Sequence, residues 1–225
     1  MDIFEAVDSR FACRWFLDKP VDQEIVRDLI EGAGRAPSNG NMQPWNVYAL
    51  TGEPLDEIKR QAADVIETSD WRDKETEYPI IPDNLSEPYS SRLFGHGDHL
   101  YGALGTARDD HEGRTEQRKR GYQFFNAPVG LFITIDRGLG FGQWADLGCY
   151  VATLAILARG HGLDTCPQAA WIRLYELVGD FLNLPAEQML FIGMGIGYRD
   201  GDHPVNNFRS VRADVHEFCK FYGFD

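Results

Sequence analysis

Ser38, Asn39, Asn41 and Gln43 fall within ten residues, Ala36 to Trp45, together with Pro37, Gly40 and Pro44. Prolines, glycine and asparagines mark the stretch as a loop. Its amides and hydroxyl offer donors and acceptors but little proton chemistry. Such a loop suits the edge of a flat heteroaromatic ligand; the ordinary alternative is a polar surface loop. Arg10 and Arg14 lie near one end of the chain, and Arg209 and Arg212 near the other. Arginine is the side chain best matched to phosphate. A second polar stretch runs through Cys166, Pro167, Gln168 and Ala169. Together these residues describe a site for a phosphorylated planar cofactor that brings its own chemistry.

Other chemistries find weak support. There is no G-x-S-x-G elbow and no H-E-x-x-H pair. His96 and His99 have a spacing usable for a metal, but no third ligand stands near them in sequence. Cys13, Cys149, Cys166 and Cys219 match no zinc spacing and read as reduced thiols of an intracellular protein. Cys166 lacks a local histidine and reads as a packed thiol rather than a nucleophile. Asp146, inside an apolar segment, reads as a buried carboxylate with a backbone or arginine donor. The net charge of −13, from 22 basic and 35 acidic residues, argues against nucleic acid or an anionic membrane as partner. The N-terminus has no signal-peptide pattern, and the apolar run Leu147–Ala158 is too short to span a bilayer. The expected location is the cytoplasm.

The elements that must position these residues are readable in part. Ile3–Val7 suggests a short helix, and Arg10 and Arg14 would then share a helical face or converge in a turn. Asp22 is an N-cap for a helix with an Ile25, Val26, Leu29, Ile30, Ala33 stripe. Asn46–Leu50 reads as a strand and Pro54–Thr68 as an amphipathic helix. From about 70 to 121 the composition departs from core, suggesting an excursion or lid, with helices over His99–Ala107 and within Arg108–Gly121. Arg114, Arg118 and Lys119 read as a solvated helix face, with contact to a nucleotide phosphate as the second reading. Val129–Ile135 is a strand, Gln143–Gly160 a buried helix, Leu163–Trp171 irregular and Arg173–Val178 a short helix. Met189–Tyr198 is a strand whose Gly193, Gly195 and Gly197 share one face, leaving room for a helix or ligand. A single domain over residues 1–225 is expected.

Ser9–Phe16, Ala36–Trp45, Ala127–Val129, His161–Gln168, Gly195–Tyr198 and Phe208–Arg212, in that order, resemble the nitroreductase family of FMN-dependent enzymes. The resemblance implies an α+β nitroreductase-like fold, with a central, mainly antiparallel sheet surrounded by helices. It implies a homodimer with FMN sites built from both chains, NADH or NADPH as electron donor, and a small aromatic acceptor, nitroaromatic or quinone-like, reduced by a ping-pong mechanism. Arg10, Arg209 and Arg212 would hold the phosphate, and Arg14 would tune the pyrimidine edge. Pro37, Ser38, Asn39, Asn41 and Gln43 would face the cofactor, with Pro167, Gln168 and Ala169 beside its ring system. Ala12 stands where the family often has Ser, and Phe11 where Arg is common, leaving more phosphate charge to the C-terminal arginines. No side chain is implied as a catalytic nucleophile. Trp71, Tyr78, Tyr89, Phe124 and Phe125 are candidates for stacking on a substrate, their ordinary reading being core or lid packing. A flavin destructase shares the Met-Gln-Pro-Trp ending of the amide loop and is the alternative enzyme. A flavin-binding protein without turnover is the alternative of another class.

Overall fold

Four antiparallel strands form the middle layer of the molecule. The computed structural model describes Met1–Phe224, with strands β1 (Asn46–Thr51), β2 (Val129–Asp136), β3 (Asp164–Gln168) and β4 (Gln188–Gly197) in the order β1-β2-β4-β3. Strand β2 is central. Val129, Leu131, Ile133 and Ile135 enter one core layer and Phe132 the other. Burial on both faces is why its sequence is an unbroken apolar run. The β2–β4 register slips between Ile133 and Thr134, leaving Phe191 as an extra residue. That bulge sends Leu190 to the opposite layer from Met194 and Ile196.

Helices α1 (Ile3–Ser9) and α2 (Gln23–Ala33) flank the long α6 (Phe141–Gly160) on one side. Helices α3 (Gly52–Thr68) and α7 (Tyr175–Leu182) cover the other, with Phe124 and Trp171 between them and the sheet. Helices α4 (Tyr89–Ala103) and α5 (His111–Gly121) form the excursion, and α8 (Val215–Phe218) is a single turn in the tail. Caps set several starts: Asp2 accepts from the Glu5 N–H, Asp22 from Glu24 and Asp110 from Gly113, each at 2.8 Å.

Three expectations need correction. Helix α4 begins at Tyr89 and ends at Ala103, replacing the one expected over His99–Ala107; Gly95, Gly97 and Gly102 weaken its local signal. The segment expected to be irregular, Leu163–Trp171, contains β3 and then a 3-10 turn. Pro167 obscures that strand, and is tolerated because β3 is at the sheet edge. Helix α6 runs for 20 residues, long and apolar enough by composition to cross a membrane. Here one face enters the core, with Asp146 and Arg159 buried against protein partners, while Ala145, Gly148, Cys149 and Ala152 on the other face are exposed, so the helix is not buried all round as expected. The glycine face of β4 is, as expected, a place of close approach, and it is taken by the 3-10 helices Phe124–Asn126 and Ala169–Leu174 rather than by an α-helix. Gly193 lies under Trp171, Gly195 against Phe124 and Ala127, and a Cβ at Gly197 would sit 2.6 Å from Pro128 Cδ.

Candidate functional site

The expected helix or turn over the two N-terminal arginines is replaced by extended chain. Helix α1 stops at Arg10, whose φ of −68° and ψ of 127° are extended. Beyond it Phe11 and Cys13 are buried, while Arg10, Ala12 and Arg14 alternate with them on the more open side; the alternation ends before Phe16, which is buried again. Extended chain has period two, so residues 10, 12 and 14 still share a face. The segment is laced to the β3 edge by an Ala12–Thr165 bridge and by the Cys13 N–H donating to the Thr165 carbonyl at 2.9 Å. Buried Asn206 ties in the C-terminal region. Its Oδ1 accepts from the Arg14 N–H at 3.0 Å, and its Nδ2 donates to the Trp15 carbonyl at 2.7 Å. The sequence reading missed Asn206, which carries no local motif.

This arrangement gathers four guanidiniums. Arg209 stacks 3.8 Å from the centroid of the Phe11 ring and donates to the Asn206 carbonyl at 2.9 Å. Phe11 is therefore a buried prop for Arg209 rather than a polar contact. Arg212 donates to Ser210 Oγ at 2.8 Å on its own tail. Burial, and then the charge of Arg212, weaken the hold of Arg10 on its proton. His96 of α4 is held below the ordinary histidine range by burial, then by Arg14, Arg212 and His99. Among the described residues, none of Arg10, Arg14, Arg209 and Arg212 is in an ion pair with a carboxylate. Asp164 feels the charge of Arg209 but is paired with Arg159 at 2.9 Å; in a chain of net charge −13, guanidiniums collected outside any ion pair favour an anion from outside.

Beside them opens a cleft of about 490 Å³, within the range of small-molecule sites. Arg14, Pro167, Gln168 and Ala169 line it, with Trp71, Tyr101, Tyr122 and Phe125 as aromatic walls. Phe125 is presented by a tight left-handed turn: Phe124, Phe125 and Asn126 have φ of 50°, 53° and 68°. Such backbone costs on the order of 1–3 kcal/mol per residue and persists only where packing overrides it. Here Phe124 is fully buried and stacks on Trp171 at 4.7 Å. Gln168 Nε2 donates to the Gly121 carbonyl at 2.5 Å, while its buried Oε1 has no partner. Gln117 Nε2, also on the lining, is likewise unpartnered. Cys166 lines the cleft too, but burial pushes its thiol up to about 11, so it is an inert wall. His96 and His99 pack on Phe208, and among the described residues no third group joins them as a metal set.

The amide loop is not part of its own chain's cleft. The Asn39 N–H is shared between both carboxylate oxygens of buried Asp146 at 3.1 Å, the backbone donor expected for that group. The Gln43 N–H donates to Ser38 Oγ at 3.0 Å, and Gln43 Nε2 to the Asn41 carbonyl at 3.2 Å. Gly40, Asn41 and Gln43 have φ of 58°, 55° and 49°. The loop is thus rigid and strained, with Pro37, Asn39, Asn41 and Gln43 exposed and Ser38 half-buried. Of the candidate stacking residues, Trp71 and Phe125 reach the cleft. Tyr78 packs edge-on to Trp144 at 4.5 Å, Tyr89 is exposed, and Phe124 belongs to the core. On α5 only Arg118 of the three cations singled out from the sequence lines the cleft; Arg114 stacks on Tyr101 and Lys119 pairs with Glu116.

Residues 7–198 match the family model described as the nitroreductase family. The chain belongs to the nitroreductase family. Within it, a 4-nitrobenzoate reductase from Pseudomonas putida is 38% identical over 227 residues, covering 100% of this chain and 97% of the relative. A nitrobenzene nitroreductase from Ectopseudomonas oleovorans is 36% identical over 219 residues, covering 97% and 96%. The crystal structure of the FMN and NADPH-dependent nitroreductase NfnB from sphigopyxis sp. strain HMH superposes over 100% of both chains with a TM-score of 0.96 at 38% identity. A BluB-like flavoprotein from Clostridium difficile, at 15% identity and a TM-score of 0.65, shares the fold alone.

Proposed function

We propose that this chain is an FMN-dependent oxidoreductase that takes reducing equivalents from NADPH or NADH and reduces nitroaromatic or quinone-like acceptors, donor and acceptor using the cleft in turn. The observation that carries the reading is the convergence of four guanidiniums, none of them in an ion pair, beside a cleft whose wall holds the orphaned acceptor Gln168 Oε1. These residues fit FMN, which has a dianionic phosphate and a ring edge with donors and acceptors. FMN, when bound, supplies the two-electron chemistry that no side chain of the cleft can. Arg10, Arg209 and Arg212 bind the phosphate, with Phe11 orienting Arg209. Arg14, on the cleft lining, would hold a positive charge beside the bound ring system and so favour its reduced form, a form of electrostatic stabilisation strengthened by exclusion of water. Pro167, Gln168 and Ala169 flank the ring system, and Trp71 and Phe125 keep the cleft dry.

The active form is a homodimer in which Pro37–Gln43 of a second copy completes the site. In support, the loop is strained, exposed and absent from the lining of its own cleft, and Phe4, Phe141 and Phe224 are 83%, 94% and 82% exposed in the single chain. Exposed apolar area of this kind marks an association surface. Four free cysteines accord with a cytoplasmic location. The test is anaerobic addition of NADPH to the purified protein, followed by a nitroarene. Bleaching of a flavin spectrum and its return are expected; consumption of NADPH without dependence on acceptor, or none at all, would sink the reading.

A further inference from the structure

Helix α4 lines two cavities that share no residue. Leu100 and Tyr101 belong to the cleft already described. Arg92, Gly95, His96 and His99, spaced as one helical stripe, line a second groove of about 630 Å³. Its other wall is the tail, through Ser210, Arg212 and Glu217. Glu217 is the one acid on this lining, and it is occupied: it pairs with Arg92 at 3.1 Å and accepts the Asp214 N–H at 3.0 Å. His96 is half-buried, its ring centroid 5.4 Å from that of Phe208, the residue before Arg209. The charged groups around His96 are Arg14 from the extended N-terminal segment, Arg212 from the tail, Arg92 and His99 from its own helix, and Glu217 from α8. Asp98, on α4, is engaged with Arg114 at 4.0 Å. Arg14 lines the cleft of the ring system and Arg212 belongs to the phosphate, and His96 feels the charge of both.

Resting on the proposed binding of FMN, we propose that His96 is a fourth contact for the FMN phosphate, binding it as an imidazolium, so that retention of the cofactor is linked to pH. In the cofactor-free chain, burial and then Arg14, Arg212 and His99 favour the neutral imidazole. A phosphate dianion seated against Arg212 reverses the sign of that field. Neutral His96, one proton from solvent and the FMN dianion then give an imidazolium–phosphate pair, with no other bond made or broken. The bound state holds one proton more than the separated partners, so FMN affinity falls as pH rises above about 6.5. The arginines stay charged throughout this window and add no slope. The phosphate's own second ionisation, with a pKa of about 6, works in the opposite direction, because rising pH enriches the dianion.

The test titrates the cofactor-free protein with FMN at pH 6.5, 7.5 and 8.5, and measures proton uptake at pH 7.5 by calorimetry in two buffers of different ionisation enthalpy. The wild type should bind FMN about three- to tenfold more weakly at pH 8.5 than at pH 6.5, the range for a partly exposed charge-assisted contact, and should take up protons on binding. His96→Gln should bind more weakly at pH 6.5 and lose most of both the slope and the uptake. His96→Arg, a permanent cation, should hold FMN at pH 8.5 as tightly as at pH 6.5. His111→Gln, exposed at the start of α5, should behave as the wild type. A flat profile or no proton uptake in the wild type would overturn the proposal, whatever the variants do. So would a His96→Gln protein that keeps the full slope while binding more weakly at all three pH values, leaving His96 as packing for Phe208. A wild type that binds FMN with a flat profile fails the His96 role alone; one that binds no FMN at any pH fails the cofactor reading itself.

Discussion

Replacing Arg212 by Ala should weaken FMN binding while leaving the cofactor-free protein nearly as stable as before. Arg212 is exposed and is held by neutral acceptors of its own tail, the Ser210 hydroxyl at 2.8 Å and the Ser210 carbonyl at 3.0 Å. Neither is buried without it, so few polar groups are orphaned. Its positive charge also opposes that of half-buried Arg10, and removing it relieves that repulsion. The expected change in stability without cofactor is therefore within about 0.5 kcal/mol. In the complex, a charge-assisted bond to phosphate is worth about 1.5–3 kcal/mol. Exposure places Arg212 toward the lower end, so FMN affinity should fall about 10- to 30-fold. The assay is titration of the cofactor-free protein with FMN, read by quenching of free flavin fluorescence, alongside thermal unfolding with and without FMN. Unchanged affinity would refute the phosphate role. A loss of more than about 2 kcal/mol without cofactor would mean that Arg212 organises the tail instead.

Three further outcomes follow from particular contacts. Arg14→Ala should make the bound flavin harder to reduce, by on the order of 30 mV for about 1.4 kcal/mol of lost stabilisation; an unchanged midpoint potential would remove Arg14 from that role. Gly197→Ala should cost about 1–3 kcal/mol by denaturant unfolding, because its Cβ would meet Pro128 Cδ at 2.6 Å and Phe16 Cδ1 at 3.1 Å; full stability would show that this approach relaxes freely. His96 is depressed below 6.5 in the folded state by burial, Arg14, Arg212 and His99. The unfolded chain therefore binds more protons just below that pH, and stability falls as pH drops through this window. His96→Gln should flatten that part of the thermal-stability profile, and bound FMN should raise the His96 pKa.

The sequence carried the chemistry better than the geometry. The amide loop, the four arginines and the strand β2 are written in local composition, and family order joins them. The helix-or-turn reading of residues 9–16 failed because spacing of four suits both a helix and an extended chain; the alternation of Phe11, Cys13 and buried neighbours was the signal that distinguishes them. Helix α4 hid behind its glycines, and β3 behind Pro167. Two features had no local signal. Asn206 works through bonds to residues 14 and 15, some 190 positions away. Arg72, Arg118 and Arg173 reach one cleft lining from α5 and two separate loops. Glycines at period two correctly announced close approach, but what approaches Gly193 is the indole of Trp171, a residue the pattern could not name.

The most direct measurement is the visible spectrum and cofactor content of the protein as purified, compared with an Arg10→Ala, Arg209→Ala, Arg212→Ala triple variant. Yellow protein that releases intact FMN on denaturation is expected, with a folded, largely colourless variant that regains little colour at micromolar FMN. A wild type that neither carries FMN nor binds it when supplied would overturn FMN binding by this chain, and a triple variant that retains FMN as tightly as the wild type would overturn the phosphate role of the three arginines.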